Sequence, residues 1–260
     1  MNEIKKLLAA DGRNAGCQDS EFQTLDLLAV GAHPDDLELA MGGTIARHAA
    51  LGLKVGLVDL TAGEMGSNGT PEVRLAEAET AGRILGVAAR INLGLPDFGL
   101  DAAPDKVQKV AALIRKYRPS VLCLPYWEAR HPDHVAASHL VARAWFAAGL
   151  RRFKADGEPW RPPVRIFFIQ DHQRIPSFVV DVGDFYRTKV EAIKAHRSQV
   201  ESGGAEAFST YVNNPAFLQA VETRDRYLGT LIGAAYGEGF IYEGQLAVGD
   251  LTGIRPSLRR

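Results

Sequence analysis

The sequence predicts an α/β fold built on a mostly parallel sheet. Three observations carry that expectation: short apolar runs that read as buried strands, helical stretches that alternate with them, and glycine or proline punctuation between the two. The first run, Leu25 to Val30, is strand one, and a helix is expected from near Gly42 to Gly52. Lys54 to Leu60 supplies strand two. A glycine-rich loop, Gly63 to Gly69, leads into Thr70-Pro71, an N-cap residue followed by proline at the first helical position, and that helix should run to Gly86. Arg90 to Leu93 is a short third strand. Asp105 to Tyr117 is an amphipathic helix with Val107, Val110, Leu113 and Ile114 on one side, stopped by Pro119. Val121 to Leu124 is strand four, followed by a helix from about Val135 to Ala148 and an apolar strand from Val164 to Ile169. After a strand at Phe178 to Val182 the chain becomes mostly helical, over Phe185 to His196 and Pro215 to Leu231. This alternation implies a Rossmann-like sheet with helices on both faces.

The 260 residues suffice for one large domain, expected over 25–260, with 1–24 as an N-terminal extension holding a short helical patch at Ile4 to Ala10. With 30 basic and 31 acidic residues the net charge is -1, which argues against nucleic acid or an anionic membrane as partner and leaves a small molecule as the expected ligand. Two cysteines, Cys17 and Cys123, fall short of a disulfide framework and fit a reducing cytoplasm. No signal-peptide core opens the chain and no run approaches the roughly 20 apolar residues of a bilayer span, so a cytoplasmic protein is expected.

Two acidic histidine motifs carry the chemistry: His33-Pro34-Asp35-Asp36 and His131-Pro132-Asp133-His134. Each follows an apolar strand, so both should emerge at one edge of the sheet, where α/β folds collect ligands. Proline restricts each turn, and adjacent carboxylates crowd charge that a divalent cation would compensate. Asp36 reads as a ligand and Asp35 as a base facing the cation's water. His134 completes a His33, Asp36, His134 set with open positions, as catalytic zinc sites require. His131 stays unligated; protonated, it would stabilise a developing oxyanion or deliver a proton to the leaving group. Asp133 would hold one of the imidazoles in its working tautomer. His48, His139, His172 and His196 lack such company, and His172 alone stays open as a further site residue.

On these residues the chain resembles the LmbE-like, or PIG-L, zinc deacetylases. The match includes Gly31 to Asp36, Met41-Gly42-Gly43-Thr44-Ile45-Ala46, Asp59-Leu60-Thr61, Ser67-Asn68-Gly69-Thr70, Leu95-Pro96-Asp97 and Arg130 to His134, which resemble the bacillithiol-biosynthesis branch in particular. Ser198-Gln199 and Gly237-Glu238-Gly239-Phe240 are similar to that branch's C-terminal part. The resemblance implies the LmbE-like deacetylase fold, one Zn2+ per chain on His33, Asp36 and His134 (a set that other divalent metals can also occupy), Asp35 as general base, and His131 as oxyanion stabiliser or acid. It further implies sugar contacts for Arg74 and Asp97, Arg130 as neighbour of an acidic aglycone, and a homo-oligomer, a hexamer. N-acetyl-glucosaminyl-malate is the substrate it points to. A related inositol-conjugate branch carries a tyrosine where this chain has Ala129, so His131 must take more of the oxyanion role. Other N-acetyl sugar conjugates, a metal-dependent phosphoesterase and a sugar-binding module are the alternative readings; a nucleotide-binding protein fits less well, because Gly-Ala-His-Pro replaces a phosphate-cradling glycine pattern.

Overall fold

A computed structural model describes residues 24–170, 174–201, 208–245 and 247. The alternating first half runs β1 (Leu27–Gly31), α1 (Asp36–Ala50), β2 (Val55–Asp59), α2 (Pro71–Leu85), β3 (Ala89–Asn92), α3 (Pro104–Tyr117), β4 (Val121–Pro125), α4 (Pro132–Ala148) and β5 (Val164–Phe168). There follow β6 (Phe178–Asp181), α5 (Tyr186–Ala195), the short α6 (Arg197–Val200), α7 (Pro215–Thr230) and β7 (Gly237–Ile241). The seven strands form one sheet in the order β3-β2-β1-β4-β5-β7-β6. The first five are parallel, and β7 runs antiparallel to both β5 and β6.

The strands bury both faces, as the continuous apolar runs demand. Leu28, Val30, Leu122 and Leu124 point into a core shared with α3 and α4. Their neighbours Leu27, Ala29, Leu57 and Cys123 point the other way, into a core shared with α1 and α2. Thr70 caps α2 through its hydroxyl, Pro71 takes the first helical position, and Gly86 ends the helix at φ 73°, a conformation that favours glycine. The order reverses between β1 and β4, so the turns leaving these two adjacent strands open into the same crevice. Among the described residues no helix is long and apolar enough to cross a membrane.

Two expectations are corrected and one unassigned segment is resolved. The helix after the first motif begins at Asp36, not near Gly42, and bends at Met41, whose φ of -144° and ψ of 23° are non-helical. The glycine pair there marks close packing inside the helix instead of its start. The helix after the second motif begins at Pro132 with His131 as its N-cap, so both motifs lie on strand-to-helix turns and put side chains on the first helical turn. Gly237 to Ile241, given no element from the sequence, is a strand, because the edges of β5 and β6 offer its backbone partners on both sides. The N-terminal patch Ile4 to Ala10, Cys17 and His172 lie outside the described residues.

Under α1 lies a buried charge cluster. Arg90 donates to both oxygens of Asp59, at 2.9 and 3.0 Å, and pairs with Glu38. His196 stands 3.4 Å from Glu38. Burial opposes the Glu38 charge, but Arg90 and His196 outweigh it and hold the pKa at about 2. A folded pKa below the unfolded value stabilises the fold above the ordinary carboxyl range, and that contribution is lost as pH falls through 2. Glu38→Gln should therefore cost about 3 kcal/mol at neutral pH. In chemical unfolding at a series of pH values, its deficit against the wild type should shrink as pH falls below the unfolded glutamate value; a deficit independent of pH would contradict this account.

Candidate active site

The first motif leaves the buried end of β1. The Asp36 carboxylate folds back on it: Oδ2 accepts hydrogen bonds from the backbone N–H of Ala32, at 3.0 Å, and of His33, at 2.9 Å. A Cβ at Gly31 would lie 3.1 Å from the Cβ of Asp36, so glycine permits this close return. Asp35 takes φ 114°, a conformation rare for side-chain-bearing residues, and sits just ahead of α1 with its carboxylate 3.9 Å from Arg74. Backbone strain of this kind concentrates at functional sites.

The second motif meets the first across β1 and β4. His134 Nε2 lies 3.0 Å from Asp36 Oδ1, and His33 Nδ1 lies 3.7 Å from Asp36 Oδ2, so Asp36 stands between two imidazoles. The other nitrogen of His33 lies 3.1 Å from Asp97 and 3.4 Å from Asp133. Carboxylates behind a histidine fix its tautomer and leave the far nitrogen as a ligand, which is the arrangement metal sites use. Asp133 therefore serves His33, while its own backbone N–H donates to His131 Nδ1 at 3.2 Å. His33, His131 and His134 each bring a ring nitrogen within 4.8 Å of the others, and His33, Asp97 and Asp133 form a second such group. Asp36 belongs to neither group; the expected set of His33, Asp36 and His134 offers two imidazoles and a carboxylate, donor types that suit a divalent ion.

Burial pushes Asp35 up to about 6, against the pull of Arg74. Burial likewise opposes the Asp36 charge, but His134 and His33 hold its pKa well below the usual carboxylate range. For His33, burial is outweighed by its hydrogen bonds to Asp133 and Asp97 and by the Asp36 charge, and the pKa rises to about 10. Burial, with the charges of His33 and His134, lowers that of His131. A neutral His131 whose Nδ1 accepts from backbone carries its proton on Nε2 and can donate a hydrogen bond from there.

All three residues expected at the substrate line one cleft of about 440 Å³, together with the motifs. They are not alike. Arg74 is buried and donates to the carbonyls of Gly63, at 2.8 Å, and Pro34, at 3.0 Å, tying the glycine-rich loop to the Asp35 turn. Gly63 must be glycine here, since a Cβ would fall 1.9 Å from the guanidinium. Asp97 faces His33 and accepts from the Met65 N–H at 2.9 Å. Arg130 is exposed and lies 4.5 Å over the ring of Tyr211. Sequence reasoning passed over Gln170, whose amide donates to Asp36 Oδ1 at 3.1 Å, and Arg224, which donates to the Gln170 carbonyl. The position of Gln170 just past β5, at the ligand-bearing edge, was the available signal; Arg224, on a helix far along the chain, had none.

Residues 28–145 match the family described as PIG-L, GlcNAc-PI de-N-acetylase. A Saccharopolyspora erythraea protein named 1D-myo-inositol 2-acetamido-2-deoxy-alpha-D-glucopyranoside deacetylase 2 is 30% identical over 245 residues, covering 73% of this chain and 89% of its own. The chain belongs to the PIG-L family. The diacetylchitobiose deacetylase of Thermococcus kodakarensis is 29% identical over 228 residues, covering 82% of this chain and 81% of its own. Among solved structures, a conserved protein from Thermus thermophilus superposes with a TM-score of 0.79 at 43% identity, covering 87% of this chain and 98% of its own. The PIG-L match holds both histidine motifs, Arg74, Asp97 and Arg130, whereas Gln170, Tyr211 and Arg224 lie beyond it. The reacting edge of the cleft thus falls within the family match, and the facing wall is built from residues after it.

Because Asp36 holds two backbone N–H groups, it should matter to the fold without any metal. Asp36→Ala should destabilise the metal-free protein by about 2–3 kcal/mol, the scale of hydrogen bonds to a charged group. Asp35→Asn should leave it nearly unchanged, since asparagine tolerates positive φ. Urea unfolding in the presence of chelator measures both, and equal losses would contradict the assignment.

Proposed function

We propose that this PIG-L protein is a zinc-dependent amide hydrolase that removes the N-acetyl group from a GlcNAc conjugate, N-acetyl-glucosaminyl-malate of bacillithiol biosynthesis being the substrate favoured. The observation that carries the reading is the Asp36 carboxylate standing between His33 and His134 with Asp35 one residue away on the cleft wall. His33, Asp36 and His134 would hold the metal, which when bound supplies Lewis acidity toward the acetamide oxygen and an acidified water. Asp35 takes the proton from the attacking water; its buried carboxyl, raised to about 6, is matched to a base working near neutrality. As the carbonyl oxygen gains charge, the Nε2–H of His131 donates to it. Asp97 and Asp133 keep His33 oriented throughout. The proton that Asp35 has gained goes to the departing amine, and the products are acetate and a free glucosamine.

Arg130 supports the acidic aglycone. Arg74 is engaged with backbone carbonyls, and Arg224 with Asp225, whereas among the described residues Arg130 makes no ion pair and offers its guanidinium at the cleft. Malate's carboxylates would meet it bidentately. A second reading, a neutral sugar aglycone, draws on Phe98 and Tyr211, which are 70% and 56% exposed and line the same cleft. Homo-oligomerisation and a cytoplasmic location belong to this proposal as well.

Acetate release from N-acetyl-glucosaminyl-malate, diacetylchitobiose and free N-acetylglucosamine, with and without chelator, tests the reading. The malate conjugate should be preferred and chelation should abolish turnover; indifference to chelator would end the metal hydrolase reading. Asp35→Asn should lower kcat by about 10²–10⁴ while retaining metal by elemental analysis, and His134→Ala should lose the metal. Arg130→Ala should raise KM for the malate conjugate about tenfold or more and leave the neutral substrates unaffected, as expected for a lost ion pair with hydrogen bonds. The opposite pattern favours the neutral aglycone.

A further inference from the structure

The Met41-Gly42-Gly43-Thr44 and Gly237-Glu238-Gly239-Phe240 motifs take no part in the chemistry above, yet they meet in the interior. Helix α1 is broken at Met41, which leaves a first segment carrying Asp36 and a second segment beginning at Gly42. A break frees backbone donors on one side and acceptors on the other, and each buried one must find a partner. Glu238, on β7, supplies the acceptors: its carboxylate takes the N–H of Gly43 at 2.9 Å and of Thr44 at 2.6 Å. Arg224, on α7, supplies a donor to the freed carbonyl of Leu39 at 2.6 Å.

Lys189 and Asp225 join these two caps. Lys189 Nζ donates to Glu238 at 2.7 Å and to Asp225 at 2.6 Å, and the other Asp225 oxygen accepts from Arg224 Nε at 2.9 Å. The four side chains alternate in sign and are buried, Lys189 and Asp225 completely. The glycine pair lets them approach, since a Cβ on Gly42 would lie 3.1 Å from the Lys189 stem and one on Gly43 2.7 Å from Val182. From Arg224 the chain of contacts continues to the Gln170 carbonyl, at 3.1 Å, and the Gln170 amide reaches Asp36 at 3.1 Å.

We propose that Glu238 and Lys189 are positioning residues for the active site: with Asp225 and Arg224 they form an internal double cap that holds the break in α1 and thereby the angle at which Asp35 and Asp36 enter the cleft. The inference rests on the deacetylase reading for its catalytic consequence, and on the backbone alone for the cap. Glutamine at 238 keeps the volume but can accept from only one of the two N–H groups. Removing Lys189 as well restores the charge balance without restoring the cap.

The test compares the wild type, Glu238→Gln and the charge-balanced pair Lys189→Met/Glu238→Gln. In metal-loaded protein well below its Tm, both variants should lose about ten- to a hundredfold in kcat, the scale of a small misplacement of catalytic groups, with KM within about twofold and metal content unchanged. The pair should recover Tm relative to the single variant while kcat stays low. If kcat instead follows Tm, or is unchanged in the single variant, the positioning role is overturned. Amide exchange at Gly43 and Thr44, followed by NMR, reads the cap without substrate: protection should fall about tenfold or more in Glu238→Gln, and unchanged protection overturns the cap. Should the wild type release no acetate from any conjugate, the functional reading fails and this exchange result still decides the cap. Gly42→Ala, which crowds the Lys189 stem and keeps every charge, serves if Glu238→Gln does not fold; a fall in kcat at constant KM supports the proposal, and wild-type kcat overturns it.

Discussion

The Asp36 carboxylate is the constraint around which the rest is arranged. One oxygen closes the turn after β1 by accepting two backbone N–H groups, and the other faces His134 and Gln170. A single side chain therefore joins the ends of β1, β4 and β5. Moving it would open the turn and separate the two motifs together, so local folding and the geometry of the cleft are one requirement.

Such a concentration of charge in a buried crevice needs support from below. On one side of α1, Arg90 gathers Glu38 and Asp59, with His196 close by. On the other, Lys189 and Arg224 alternate with Asp225 and Glu238. Buried pairs of this kind contribute little net stability against an apolar replacement, but breaking one is costly. Their value here lies in geometry: both clusters grip α1, the helix that follows Asp35. The price in desolvation is tolerated where a cleft must be held open and polar.

The division of the cleft follows the division of the chain. Residues 28–145, the stretch that matches PIG-L, supply the reacting edge, and later residues supply Gln170, Tyr211 and Arg224 on the facing wall. That wall also contributes the antiparallel β7 and with it Glu238.

By itself the sequence determined the parallel strands, most helix limits and the meeting of the two histidine motifs at one sheet edge, because these follow from local periodicity, proline and glycine chemistry and the topology of α/β units. Thr70-Pro71 and Gly86 were legible as helix ends for the same reason. Tertiary structure alone decided which imidazole each carboxylate serves: Asp133 turns to His33, and Arg74 is drawn beneath the Asp35 turn. It also decided the early start and the break of α1 and the strand at Gly237 to Ile241. No local preference encodes these. A glycine-rich segment becomes a strand when two sheet edges need its hydrogen bonds, and a helix breaks at Met41 when buried side chains from β7 and α7, nearly two hundred residues away, satisfy the groups it frees.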